Sequence, residues 1–82
     1  MNIRNNIINY LYDKDYIITM YENSLYIFNY KRLFDFNDTK ITVTLNDREI
    51  NIHGKSLSIV KMTKDELLIN GTISKIEVII DE

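Results

Sequence analysis

Residues 41–80 read ITVTLNDREINIHGKSLSIVKMTKDELLINGTISKIEVII, and this stretch decides the fold. Ile41, Val43 and Leu45 alternate with Thr42 and Thr44, the period of two that marks a strand with one buried face. Ile50 and Ile52 repeat it against Glu49, Asn51 and His53. With Asn46 and Asp47 as a two-residue turn, Val43 faces Ile50 and Ile41 faces Ile52. Thr44 then faces Glu49, and Thr42 faces Asn51. Apolar meets apolar on one face and polar meets polar on the other, and a slip of one residue would mix the two sets. Asn and Asp both tolerate the positive φ that a type I′ turn requires.

Beyond Gly54, Leu57 to Met62 reads as a strand and Thr63 to Glu66 as a loop. Leu67 to Asn70 returns, Gly71 breaks the run, and Thr72 to Ile80 makes the last strand. The pattern Ile50-x-Ile52-x-Gly54 is echoed by Leu67-x-Ile69-x-Gly71, and more dimly by Leu25-x-Ile27-x-Asn29. Such echoes are too few for a solenoid. Glycine inside a strand pattern marks a bulge or bend. Gly54 and Gly71 are therefore expected to carry strands from one sheet layer to the next.

Working back towards the N-terminus, Tyr16 to Tyr21 pairs with Ser24 to Tyr30 around Glu22-Asn23. A two-residue turn there sets Tyr21 against Ser24, Thr19 against Tyr26 and Ile17 against Phe28. Asn29 stands where a strand interior would be apolar, so a bulge or kink is expected beside it. Lys31-Arg32 interrupts pairing, Leu33, Phe34 and Phe36 resume an apolar run, and Asn37-Asp38-Thr39 forms a turn. Residues 1–13 hold the one expected helix. Over residues 2–12, Ile3, Ile7, Ile8 and Leu11 fall on a single stripe, with Asn5, Asn6 and Asn9 off it. Asparagines are poor helix formers, so this helix needs a surface to dock on, either its own sheet or a partner. Only Arg4 and Lys14 could serve a basic face against a membrane surface.

At 82 residues the chain is one domain, near the lower limit for folding without staples. Hydrophobic residues make up 45% and charged residues 27%, which is ordinary for a globular chain. A net charge of −2 speaks against a polyanion partner. Without cysteine there is no disulfide framework and no thiolate metal site, and one histidine is too few for a zinc centre. No apolar run reaches the roughly 18 residues that span a bilayer. The N-terminus lacks the basic-then-apolar order of a secretory leader, so the cytoplasm is the expected compartment.

The candidate chemistry is sparse. His53 lies on the polar side of its strand, and Glu49 is too far along that strand to serve it as a partner unaided. A surface or rim histidine is the better reading. Asp35, Asp38, Asp47 and Glu49 gather around two turns, with no spacing that matches a calcium loop. Lys31 and Arg32 sit between Tyr30 and Phe34, and basic groups among aromatics are what single-strand nucleic-acid platforms use. The net acidity opposes that use. No dinucleotide, phosphate-loop, nucleophile-elbow or zinc-protease motif occurs. No catalytic, cofactor-binding or metal-ligating residue is singled out, and an enzyme is not expected.

The segment from about Leu25 to Val78 resembles the YabP/YqfC family of small bacterial sporulation proteins. The resemblance is carried by Phe34-Asp35, by Ile41-x-Val43, and by the run from Ile50 through Ile52, Gly54 and Leu57 to Ile59. A polar loop follows, then Leu67-x-Ile69-x-Gly71-x-Ile73, Ile76 and Val78. The family commonly has glycine where Asn29 stands and again in the Asn46-Asp47 turn. The resemblance implies a role in endospore formation with no known catalytic activity. It also implies a partner, since YqfC-type members are usually encoded beside the membrane sporulation protein YqfD, and hence peripheral association with the forespore membrane.

The expected structure is a single mainly-β domain over residues 1–82: a small antiparallel sandwich or roll of about seven strands over 16–80, plus the N-terminal helix. The expected function is non-enzymatic, through protein–protein contact. Self-association is expected through Thr72–Ile80, whose end is apolar on both faces. The alternative is a ligand- or nucleic-acid-binding β-module that uses Tyr26, Phe28, Tyr30, Lys31 and Arg32.

Overall fold

A computed structural model describes residues 16–80, and the helix expected over residues 1–13 lies outside them. Six strands follow in chain order: β1 Ile17–Met20, β2 Ser24–Phe28, β3 Arg32–Phe36, β4 Lys40–Thr44, β5 Arg48–Met62 and β6 Glu66–Ile80. All pair antiparallel in one sheet ordered β1-β2-β6-β5-β4-β3. The expectation of about seven strands is corrected to six. Gly54 and Gly71 bend their strands without ending them, so β5 and β6 each run through 15 residues.

The central hairpin has the register its pattern dictates. Val43 faces Ile50, Ile41 faces Ile52, Thr42 faces Asn51 and Thr44 faces Glu49. Leu45 N–H donates to the Arg48 carbonyl at 2.7 Å and closes the Asn46-Asp47 turn, but neither turn residue takes the positive φ expected of a type I′ turn. The first hairpin also matches, with Ile17 against Phe28 and Thr19 against Tyr26. Asn29 then leaves the strand with φ 63°. Asparagine reaches this left-handed region far more easily than a branched residue, which explains how it fills the kinked position. Asn29→Val is expected to lower stability by about 1–2 kcal/mol, measured by urea denaturation.

The β5–β6 ribbon carries both halves of the molecule. Its first half pairs Arg48–His53 with Lys75–Ile80, and β4 and β3 extend that half beyond β5. Its second half pairs Ser58–Met62 with Leu67–Asn70, and β2 and β1 extend that half beyond β6. Between them the register shifts at His53/Gly54 and at Lys55/Ser58, where Ser56 adopts φ 55° and Gly71 φ 138°. Bulges of this kind bend a ribbon and sharpen its twist.

The bend rolls the two halves over a shared core. Ile41, Val43, Ile50 and Ile52 from one half and Leu25, Ile27, Leu67 and Ile69 from the other are fully buried in one cluster. A flat sheet would leave one whole face of each half in water. Burying each such side chain contributes roughly 1.5–3 kcal/mol. Asn29 N–H to Asp65 O and Lys31 N–H to Thr44 O continue the β2–β6 and β3–β4 ladders past the strand ends, and Leu57 N–H to Asp38 O ties the bend to the β3–β4 turn. Leu57 itself is buried directly over both glycines. The paired Ile-x-Ile-x-Gly echoes thus mark the two sides of one bend.

Candidate interaction surface

The outward face of the first half is polar and internally satisfied. Thr42 and Asn51 lie there at only 4% and 8% exposure, and the Thr42 hydroxyl donates to Asn51 Oδ1 at 2.7 Å. Beside them His53 Nε2 meets Glu77 Oε1 at 2.6 Å, and Lys75 Nζ lies 3.5 Å from Glu77 Oε2. An ionised carboxylate only accepts, so Nε2 carries the proton. The histidine's hydrogen bond, followed by the Lys75 charge, holds the Glu77 carboxyl below its ordinary value. The histidine therefore has a carboxylate partner, and it is Glu77 rather than Glu49.

This pair has a defined pH consequence. A depressed carboxyl pKa adds stability above the unfolded value near 4.5, and that contribution disappears as pH falls through the folded value. Glu77→Gln is expected to flatten the acid side of the stability profile slightly, as suits a partly exposed pair. Denaturant titrations at a series of pH values between about 3 and 6 would read this.

Two further pairs of charged groups are engaged in the same way. Tyr26 OH donates to Glu66 Oε2 at 2.7 Å, and Lys61 Nζ lies 3.4 Å from Glu66 Oε1. The tyrosine hydroxyl first, then Lys61, lowers the Glu66 pKa. Arg48 pairs with Asp47 at 3.0 Å, and its guanidinium lies 5.6 Å from the Tyr16 ring centre. A shallow depression of about 340 Å³ at this turn is lined by residues 44–49 and Ile79, and His53 is not among them. Among the described residues, no three side chains of metal-binding type come together.

The aromatic and basic residues of the alternative reading do not assemble into one platform. Tyr30 is buried in the core, its hydroxyl donating to the Thr63 carbonyl at 2.6 Å. Tyr26 and Phe28 stand on β2, opposite Leu68 and Glu66. Arg32 lies beyond the Asn29 kink with its guanidinium over the Phe34 ring, 5.7 Å from the centroid. Phe34 is the bulged residue of β3, where the register jumps from Leu33 to Asp35, and is 64% exposed.

The surface offers strand edges more than a cleft. Beyond Gly71, β6 has β5 on one side and no strand on the other among the described residues. Val78 and Ile80 there are 53% and 61% exposed, although they extend the buried row of the core, with Val78 beside Ile50. Ile79, also exposed, lies on the opposite face. No described helix is long and apolar enough to cross a membrane.

No curated protein and no solved structure matches the chain. The YabP family model matches residues 13–79. That span contains the Asn29 kink, both glycine corners and all six strands except the final residue of β6. The chain belongs to the YabP family.

Proposed function

We propose that this chain is a non-enzymatic component of endospore formation that works by protein–protein contact. Family membership over residues 13–79 carries the reading. The geometry supports it in kind. Glu77 with Lys75, Glu66 with Lys61 and Asp47 with Arg48 form ion pairs along the surface, and His53 shares a hydrogen bond with Glu77. The exposed apolar side chains of β3 and β6 lie on strand edges, where partners add by main-chain pairing. The partner suggested by the family is a YqfD-type membrane sporulation protein, which would draw the chain to the forespore membrane. Deletion in a spore-forming host should produce defective spores by microscopy, and the tagged chain should co-purify with that membrane protein. Normal sporulation in the deletion strain would overturn the proposal.

A further inference from the structure

The molecule has four strand edges without a neighbour among the described residues, and three of them are blunted. The edge strand β1 has only four residues. The edge of β3 is interrupted by the Phe34 bulge. The outer half of β5 carries shifts at Lys55/Ser58 and Ile59/Lys61 and a left-handed Ser56. Short strands and bulges are how native sheets avoid edge-to-edge pairing. Residues 75–80 of β6 have neither device: their register with β5 is unbroken from His53/Lys75 to Arg48/Ile80.

The direction of their main-chain groups follows from the ladder. Hydrogen-bonded pairs alternate along an antiparallel pair. Leu45 bonds Arg48 at one end of β4–β5, and Gly54 N–H bonds Thr39 O at the other. The intervening bonds to β4 therefore belong to Ile50 and Ile52, and Glu49, Asn51 and His53 turn theirs to Ile79, Glu77 and Lys75 of β6. Ile76, Val78 and Ile80 are left with their main-chain N–H and C=O groups aimed at the open edge. Their side chains stand on the core-facing side.

We propose that residues 76–80 pair antiparallel with the same segment of a second copy, on a two-fold axis through Val78. That register places Val78 against Val78 and Ile76 against Ile80, so the row Leu33, Val43, Ile50, Val78 continues across the axis. Centring on Glu77 would set like charges directly opposite, and centring on Ile79 would set Glu77 against Asp81. Centring on Ile76 would bring the extra residue Ser74, where the ribbon's register shifts, opposite Val78. Five residues a side is far below a standard interface of about 1,600 Å², so the dimer is weak and concentration-dependent. This pairing goes beyond the sporulation reading and is decided with purified chain alone.

Light scattering should show the chain becoming dimeric between about 100 µM and 1 mM, and Val78→Lys should abolish this with the circular dichroism unchanged. The chain has no cysteine, which allows the register itself to be read. Residues 77 and 79 form the close, non-hydrogen-bonded pair across the proposed axis, within disulfide reach. Under mild oxidation, Glu77→Cys chain mixed with Ile79→Cys chain should cross-link between the two variants. Three results would overturn the proposal: a monomer at about 1 mM, a Val78→Lys dimer, or stronger cross-linking of either cysteine variant with itself.

Discussion

Gly54→Ala is expected to destabilise the domain by about 3 kcal/mol or more, among the largest effects of any single methyl group in this chain. A Cβ built at Gly54 overlaps the Thr72 carbonyl oxygen and lies 2.9 Å from Leu57 Cδ2. The carbonyl belongs to the partner strand's main chain, so the clash cannot be relieved by a side-chain rotation. Moving it would break the register between Gly54 and Ile73 at the bend. Gly71 is constrained twice: a Cβ there meets the Ser56 carbonyl at 2.9 Å, and its φ of 138° is strained for any L side chain. Gly71→Ala should fall in the same range. A domain of this size has roughly 4–12 kcal/mol of stability in total, so either variant should show a much lower urea midpoint. The double variant is expected to be largely unfolded. Wild-type midpoints for both would mean that the bend lies elsewhere.

Ile52→Ala is expected to cost about 2–5 kcal/mol. Ile52 is fully buried, flanked by Ile41 on β4 and Ile76 on β6. Its side chain faces the cluster that also holds Leu25, Ile27, Leu67 and Ile69 from the other half. Truncation opens a cavity walled by both halves of a rolled sheet. Phe34→Ala provides the contrast: it removes a larger side chain, but one that is mostly exposed on a bulge, and should cost no more than about 0.5 kcal/mol. Equal losses at the two positions, by urea denaturation, would contradict the placement of the core.

The parts of this fold legible in the sequence are those where local pattern and pairing agree. The Asn46-Asp47 hairpin could be registered residue by residue because both its strands alternate cleanly, and the first hairpin likewise. The glycine corners were legible as bends but not as continuous strands. Pattern alone cannot show whether pairing survives a bulge, and here Gly54 pairs with Ile73 while Asn70 and Thr72, on either side of Gly71, pair with Ser58 and Lys55. The β3 bulge was hidden because Leu33, Phe34 and Phe36 are all apolar, so a shift leaves no trace in the alternation. Tyr30, although next to Lys31-Arg32, is carried into the core just after the turn at Asn29.

The histidine's partner was out of reach for a related reason. His53 and Glu77 come together through a ribbon with three register shifts, and each shift exchanges the two faces downstream. Counting from the Thr63–Glu66 loop therefore gives no secure parity for Glu77. The family pattern supplied the order of strands and glycines.

The central claim is that one continuous ribbon, bent at Gly54 and Gly71, supplies both walls of the core. Cross-strand nuclear Overhauser effects along β5 and β6 test it most directly. The account predicts contacts for Ile52 with Ile76 and for Ile59 with Ile69 in the same folded species, with Gly54 and Ile73 adjacent between them. A ladder that stops at Gly54, or one whose register runs through the bend without a shift, would contradict it.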